Sequence, residues 1–276
     1  MPLPASTPLS RERIAEIVAS PDRSAADRAN DSRRKPVEML TFIGVRSGIT
    51  ALDLSAGGGY TTELLARAVG PNGRVYGQSA PRDPNRAGPA AAEGAATPPA
   101  TASQAMAASA PAPSASVAAR ADAPRGTPRT SAIALAERAQ KPAAMNIVAV
   151  VQKFEAPVPA GLVSNGLDLV TLMFNYHDLG HMGVDRAQMN AAVFQALKPG
   201  GSYVIADHAG RPGTGIAEAG TLHRVEEEFV RREVEAAGFR LSSRGDFLRN
   251  PNDPRDMNTP NPPQAKDEFV LKFIKP

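Results

Sequence analysis

A cluster of glycines between an apolar run and a helical pattern restricts the fold of this chain more than any other feature. The apolar run is Thr50–Leu54, the glycines are at positions 57, 58 and 59, and apolar residues at helical spacing continue to Val69. Glycine has no Cβ atom to keep a ligand away from the backbone, and the first turn of a helix offers free N–H groups. A strand, a glycine turn and a helix in this order predict a binding site for a nucleotide-like ligand.

Strand-like and helix-like segments alternate along the rest of the chain. Apolar runs typical of buried strands, with helical patterns between them, lie at residues 74–78, 146–151, 167–174 and 202–207. Two alternating segments near the C-terminus, residues 239–248 and 269–274, predict an antiparallel closing pair. We therefore expect an α/β fold with a Rossmann-like, doubly wound, mostly parallel seven-stranded sheet and an antiparallel closing strand. An N-terminal helical cap is expected at residues 1–43.

Alanine and proline dominate the stretch between the second and third predicted strands. They make up 27 of the 50 residues from 81 to 130, where Met106 and Val117 are the only larger apolar residues. Such a stretch buries too little apolar surface to offset the entropy of ordering it. We predict a disordered insertion at residues 81–130, within a domain formed by residues 44–80 and 131–276.

The composition excludes several classes of site and partner. The chain has no cysteine, so disulfides, thiolate zinc sites and cysteine nucleophiles are excluded. Its formal charge of +3 comes without a basic stripe, which argues against nucleic acid as a partner. No apolar run reaches the length of a membrane span, and the first residues lack the apolar core of a signal peptide. We expect a cytoplasmic protein that acts on a small molecule.

The glycine cluster resembles motif I of the class I S-adenosylmethionine-dependent methyltransferases. The matching spacing is Asp53-x-Ser55-x-Gly57-x-Gly59, whereas the dinucleotide pattern G-x-G-x-x-G would need a third glycine where Thr62 stands. Stretches similar to the same superfamily follow in the same order at residues 167–170, 196–201 and 235–239. Similarity to a bacterial group of predicted methyltransferases of unassigned substrate is carried by residues 175–178, 207–208 and 221–224.

This resemblance implies S-adenosylmethionine as the cofactor. Asp53 would organise the glycine loop, and Gln78 takes the place of an acid that usually binds the ribose hydroxyls. Phe154 and Glu155 would flank the adenine, and Asn175 would face the methyl-transfer centre. The full implied set of cofactor-binding residues is Asp53, Ser55, Ala56, Gly57, Gly58, Gly59, Tyr60, Thr61, Gln78, Phe154, Glu155 and Asn175.

All four histidines lie in the C-terminal half of the chain. Three of them follow the fourth strand, the fifth strand and the loop after it, and the carboxyl ends of parallel strands converge on one ligand crevice. A histidine or aspartate there would take the proton of a methyl acceptor. We predict an acceptor site with the catalytic residues Tyr176, His177, Asp178, His208 and His223.

Other interpretations of the same residues stay open. The histidines could instead cap or hydrogen-bond loops, or a metal could be bound by His177, Asp178, His181 and His208. We identify no helical H-x-x-x-H pair or other strong ligand spacing, so no metal ligands are assigned. The alternative functions are a non-catalytic S-adenosylmethionine-binding module, a nicotinamide-dependent oxidoreductase and a metal-dependent enzyme.

Overall fold

Strands and helices alternate in the computed structural model, which describes residues 7–81 and 130–276. The α-helices are α1 (Arg11–Val18), α2 (Ala25–Arg34), α3 (Pro36–Ile43), α4 (Tyr60–Val69), α5 (Ser131–Arg138), α6 (Tyr176–His181), α7 (Arg186–Ala196), α8 (Ala219–Leu222) and α9 (Glu227–Ala236). The strands are β1 (Thr50–Leu54), β2 (Arg74–Ser79), β3 (Ile147–Val151), β4 (Leu167–Met173), β5 (Leu197–His208), β6 (Arg240–Gly245) and β7 (Glu268–Ile274).

The strands form one seven-stranded sheet in the order β3-β2-β1-β4-β5-β7-β6. Strands β1 to β5 pair in parallel, and β7 lies antiparallel to both of its neighbours. The carboxyl ends of β1, β4 and β5 therefore lie side by side at one edge of the sheet, where ligands bind in open parallel sheets. The predicted fold class, including the antiparallel closing strand, is confirmed.

Strand β5 begins earlier than the sequence predicts. It starts at Leu197 instead of Ser202, and its pairing with β4 jumps from Leu167–Leu197 to Leu169–Ser202. Residues 198–201 therefore bulge out of the ladder, and Gly200 has a φ of +76°, which glycine adopts without strain. Residues 198–201, which precede the strand predicted at 202–207, thus form a bulge within it.

Two hydrophobic clusters cover the two faces of the sheet. Ala51 belongs to one and Leu52 to the other, as the alternation of side chains along a strand requires. The N-terminal helices contribute Ile14, Leu40 and Ile43 to the first cluster. These helices therefore share a core with the sheet, while the division of the chain at residue 43 stays a prediction.

The predicted disordered insertion lies outside the described residues, apart from Pro81 and Thr130 at its two ends. Thr130 caps α5, because its hydroxyl accepts a hydrogen bond from the backbone N–H of Ile133 at 3.3 Å. Across the two described ranges, every helix is too short or too polar to cross a membrane.

Candidate active site

Buried hydrogen bonds hold the glycine loop in a conformation that few residues tolerate. Ser55 and Gly59 have φ angles of +53° and +80°. Asp53, in β1, is buried and accepts hydrogen bonds from Thr62 Oγ1 at 2.6 Å and from Thr171 Oγ1 at 2.7 Å. Burial raises the pKa of Asp53 to about 6, although the two hydroxyl groups act against this shift. The predicted role of Asp53 in organising the loop fits this placement.

Gln78 supports the loop from the neighbouring strand. Its Oε1 accepts a hydrogen bond from Ser55 N at 3.0 Å, and its Nε2 donates to the backbone oxygen of Gln152 at 2.7 Å. The side chain is fully buried, and both ends of its amide are engaged within the protein. The predicted contact of Gln78 with ribose hydroxyls does not fit this placement, because the amide shapes the loop from inside.

Arg138 of α5 fastens the glycine loop to its surroundings, a role that was not predicted from the sequence. Its Nε donates to the backbone oxygen of Gly58 at 2.6 Å, and its Nη1 lies 2.6 Å from Asp27 and 2.5 Å from Glu63. A Cβ atom at Gly59 would lie 2.7 Å from Arg138 Cδ, so the loop requires glycine there. A basic residue in the last turn of a helix is common, so nothing local marks Arg138 as a loop contact.

The start of α4 is tied to the N-terminal helices. The Tyr60 hydroxyl donates to Asp31 Oδ1 at 2.7 Å, and the guanidinium groups of Arg23 and Arg34 lie 5.7 and 6.0 Å from the centre of its ring. Tyr60 and Thr61 line a small, largely apolar cavity beside Arg34. The binding of the cofactor by Tyr60 and Thr61 stays a prediction, and at Tyr60 the backbone N–H is the donor available for it because the hydroxyl donates to Asp31.

The two residues predicted beside the adenine follow β3. Phe154 is 5% exposed and packs in the hydrophobic cluster that contains Leu52 and Leu54. Glu155 accepts a hydrogen bond from the backbone N–H of Asp185 at 3.3 Å. Phe154 is thus largely a core residue, and the contact of this pair with adenine stays a prediction.

A strained residue follows β4. Phe174 has a φ of +60°, a region that costs a non-glycine residue about 1–3 kcal/mol. Its backbone N–H donates to the oxygen of Ala206 at 2.6 Å, and the guanidinium of Arg34 lies 4.0 Å from the centre of its ring. Burial, together with the neighbouring Arg33, lowers the pKa of Arg34 to about 10. The sharp change of direction at Phe174 starts α6 beside the glycine loop.

Asn175 joins the glycine loop to a second group of polar side chains. Its Oδ1 accepts a hydrogen bond from the Ser55 hydroxyl at 2.5 Å, and its Nδ2 donates to Asp178 Oδ2 at 2.7 Å. Asn175 therefore bridges the carboxyl ends of β1 and β4, at the edge of the sheet where the sequence predicts the site.

The short helix α6 carries His177, Asp178 and His181. The sequence-based statement that no helical H-x-x-x-H pair is present is therefore wrong, because His177 and His181 are four residues apart on one helix. Asp178 Oδ1 lies 3.3 Å from His177 Nε2, 3.3 Å from His223 Nδ1 and 3.8 Å from His181 Nδ1. Three of the four histidines thus surround one carboxylate. We call these four residues the histidine–aspartate cluster.

Asp207, near the end of β5, fixes the orientation of His177. Asp207 Oδ1 lies 2.6 Å from His177 Nδ1, and Asp207 Oδ2 accepts from the backbone N–H of His177 at 2.8 Å. Burial of Asp207 opposes ionisation, but the charge and the hydrogen bond of His177 prevail and keep the pKa of Asp207 below its usual value. His177 Nε2 is consequently directed to Asp178.

His208 lies behind the histidine–aspartate cluster, in the protein interior. It is buried, its Nδ1 lies 3.0 Å from Glu268 Oε1, and its ring centre lies 5.4 Å from that of His177. Arg33 Nη1 donates to the same Glu268 oxygen at 3.2 Å. His208 contacts the cluster through His177. The catalytic role predicted for His208 stays a prediction.

Tyr176 does not belong to the site, contrary to the sequence-based prediction. Its ring is fully buried in the hydrophobic core, its hydroxyl donates to Glu233 Oε2 at 2.7 Å, and it accepts from Asn190 Nδ2 at 3.1 Å. Burial and Glu233 raise the pKa of Tyr176 well above its ordinary value. Its neighbour His177 points to Asp207 instead, because successive residues of a helix point in different directions.

Close packing of α6 against the segment around α8 brings His223 to the cluster. A Cβ atom at Gly180 would lie 2.4 Å from Ile216 Cγ1, so only glycine permits this approach. His223 has a φ of +51° and follows the last residue of α8. The next residue, Arg224, is fully buried and pairs with Asp253 at 2.8 Å, which anchors the backbone beside His223.

Comparison with solved structures identifies the fold. The chain is similar to a SAM-dependent methyltransferase from Aquifex aeolicus, with a TM-score of 0.55 and 16% identity over 97% of this chain and 100% of that chain. This is the fold of the S-adenosylmethionine-dependent methyltransferases. A chain from the complex of the Haloferax volcanii Trm112 methyltransferase activator with a methyltransferase matches with a TM-score of 0.51 and 14% identity, over 97% of this chain and 99% of that chain.

The methyltransferase fold also occurs in the [4+2]-cyclase SpnF, which matches with a TM-score of 0.54 and 12% identity over 88% of this chain and 82% of that chain. At such identities the similarity establishes the fold and not the reaction. No protein-family model and no curated protein matches the sequence. The superfamily resemblance identified in the sequence is confirmed at the level of the fold.

Proposed function

We propose that this protein binds S-adenosylmethionine at the glycine loop and transfers its methyl group to a small molecule bound at the histidine–aspartate cluster. The observation that carries the proposal is the hydrogen-bonded chain from Ser55 through Asn175 to Asp178. The side chain of Asn175 alone separates Ser55, in the loop that would bind the cofactor, from Asp178, in the cluster that would bind the acceptor. In-line methyl transfer requires such proximity, since positioning of the two reactants supplies much of the rate.

The glycine loop supports the cofactor part of the proposal. Gly58 is exposed, and a Cβ atom there would meet no protein atom within 4 Å. Arg138 and Gln78 hold the loop from the protein side, so its open side is available to a ligand. The N-terminus of α4 follows directly, and its partial positive charge favours the carboxylate of the cofactor.

The reaction that this arrangement supports is a displacement at the methyl carbon. Bound at the loop, S-adenosylmethionine would supply the methyl group: an acceptor atom would bond to the methyl carbon, and the electron pair of the broken bond would stay on sulfur. The acceptor loses a proton to the cluster. His177 and Asp178 are the groups placed to receive it, because Asp207 holds His177 with Nε2 directed to Asp178.

Titration calorimetry with S-adenosylmethionine tests the cofactor part. We expect Gly58→Ala to weaken binding about tenfold or more, because the new methyl group would occupy space taken by the ligand. Gly161→Ala is the matched control, since a Cβ atom at Gly161 also meets no atom within 4 Å. Both variants should keep the melting temperature of the wild-type protein.

Two results would contradict the proposal. Binding of NADH without binding of S-adenosylmethionine would favour a nicotinamide-dependent oxidoreductase. Binding of S-adenosylmethionine without release of S-adenosylhomocysteine, against a panel of hydroxyl, amine and thiol acceptors, would favour a non-catalytic binding module.

A further inference from the structure

The atoms around Asp178 form a donor set of the kind that binds divalent transition metals. His177 Nε2, Asp178 Oδ1 and His223 Nδ1 lie within 4.8 Å of one another. Two imidazole nitrogens and one carboxylate oxygen are donors that both zinc and iron(II) accept. Among the residues that the structure describes, this is the one group of three such donors at metal-binding separations.

The two separations measured from Asp178 match those between ligands of one metal, although the contact with His223 is also within hydrogen-bond distance. Asp178 Oδ1 is 3.3 Å from His177 Nε2 and 3.3 Å from His223 Nδ1. Charge-assisted hydrogen bonds are about 2.7–2.9 Å long, and the contact of His177 Nδ1 with Asp207, at 2.6 Å, is of this shorter kind. In a tetrahedral zinc site with bonds of about 2.0–2.1 Å, neighbouring ligand atoms are about 3.3 Å apart.

Two of the three donors, His177 and Asp178, are oriented by a hydrogen-bonded group behind them. Asp207 holds His177 by Nδ1, which leaves Nε2 as the nitrogen facing the donor set. Asn175 Nδ2 donates to the second oxygen of Asp178 at 2.7 Å, and the buried Arg224 anchors the backbone next to His223. Contacts of this kind fix the direction of metal ligands and increase metal affinity.

His181 lies at the rim of the donor set. Its Nδ1 is 3.8 Å from Asp178 Oδ1, and its side chain is 37% exposed, against 2% for His177. Catalytic zinc sites have three protein ligands and leave the fourth position to water or substrate. The geometry therefore matches three protein ligands with one position on the exposed side.

We propose that His177, Asp178 and His223 bind one zinc ion whose fourth position is open to the acceptor. The site itself does not depend on cofactor binding; its part in methyl transfer rests on the proposed function. A hydroxyl group bound at the open position releases its proton to solvent more readily, because zinc stabilises the oxyanion. With zinc bound, His177 and Asp178 are metal ligands and no longer the proton acceptors, since the zinc lowers the pKa of the acceptor and the proton goes to solvent. The acceptor class is a small molecule with a zinc-binding hydroxyl group.

Calorimetric titration of chelator-treated protein with Zn²⁺ tests the site, and Co²⁺ absorption reports tetrahedral coordination. We expect one ion per chain, and about a hundredfold weaker binding or more in His223→Ala and Asp178→Ala, which each remove a ligand. Asp207→Asn should weaken binding roughly tenfold, because it removes the group that orients His177. His181→Ala is the matched control one helical turn away, with affinity within about threefold of the wild type.

Several results would overturn the zinc site. They are absence of Zn²⁺ binding by the wild type, unchanged affinity in folded His223→Ala and Asp178→Ala, and a loss in His181→Ala equal to that in His223→Ala. Tighter binding of Fe²⁺ than of Zn²⁺ under anaerobic conditions would overturn the assignment to zinc. Circular dichroism verifies that each variant is folded. None of these titrations contains S-adenosylmethionine, so failure here is distinguishable from failure of the cofactor proposal at Gly58.

Discussion

The Ser55 hydroxyl donates a hydrogen bond to Asn175 Oδ1 at 2.5 Å, across the gap between the ends of β1 and β4. The backbone is strained on both sides of this gap, since Ser55 has a φ of +53° and Phe174 has a φ of +60°. Such strain persists where surrounding contacts over-determine the conformation, and it is concentrated at functional sites. The geometry between the glycine loop and the histidine–aspartate cluster depends on this contact.

Asn175→Ala should therefore affect turnover more than cofactor binding. Without the amide, Asp178 loses the donor that orients its carboxylate, whereas Asp53 and Gln78 still hold the loop. We expect kcat to fall about tenfold or more, with the Kd for S-adenosylmethionine changed by less than about threefold. Steady-state kinetics and calorimetry measure the two quantities. Equal losses in both would contradict the prediction, and Asn72→Ala, at an exposed turn, is the control.

Arg138→Met should destabilise the protein strongly. The substitution leaves the largely buried carboxylates of Asp27 and Glu63 without their shared guanidinium and frees the Gly58 carbonyl. Breaking a buried ion pair costs about 3–5 kcal/mol, and the lower end applies here because Glu63 keeps Arg67 and Lys141. Urea denaturation measures the free energy of unfolding, with Arg232→Met at an exposed position of α9 as the control. A loss no larger than that of the control would mean that Arg138 does not fasten the loop.

Asp53→Asn should change the pH dependence of stability. The pKa of Asp53 is raised from 3.8 to about 6 by folding, so its stabilising contribution is complete below the unfolded value and is lost as pH rises through about 6. Asparagine does not titrate and can still bond both threonine hydroxyls. The stability of the variant relative to wild type should therefore increase by about 1 kcal/mol between about pH 5 and pH 7.5.

Denaturant titrations at several pH values measure this difference. Asp256→Asn, at an exposed position, provides the comparison, and its stability relative to wild type should show no such increase. A constant difference between Asp53→Asn and wild type across this range would show that Asp53 does not titrate there.

Tyr176→Phe should lower stability and leave turnover within about twofold of wild type, because the hydroxyl lies in the core and touches no reacting group. The buried amide of Asn190 loses its acceptor and Glu233 loses a donor, which together cost about 1–3 kcal/mol. Thermal denaturation and methyl-transfer kinetics measure the two effects. The control is Tyr76→Phe, because Tyr76 of β2 is only half-buried. A large fall in kcat with unchanged stability would contradict this prediction and show that Tyr176 is a catalytic residue.

Much of the fold could be predicted because local periodicity reports which face of each element is buried. The apolar runs gave the positions of the strands, and the glycine cluster fell where the backbone has positive φ angles. Even so, the turn at residues 198–201 is a bulge inside β5, because the pairing with β4 resumes only at Ser202. The pairing with a neighbouring strand decides where a strand begins and ends, and the local sequence pattern carries no information about that pairing.

The sequence by itself determined the order of strands and helices, the glycine loop and the polar residues that follow β4 and β5. Only the tertiary structure decided where those side chains point. Tyr176 and His177 are adjacent, but directions along a helix differ by about 100° per residue, so one enters the core and the other meets Asp207. Arg138 reaches Gly58 from 80 residues away. Contacts over such separations arise from the packing of whole elements, which no short stretch of sequence specifies.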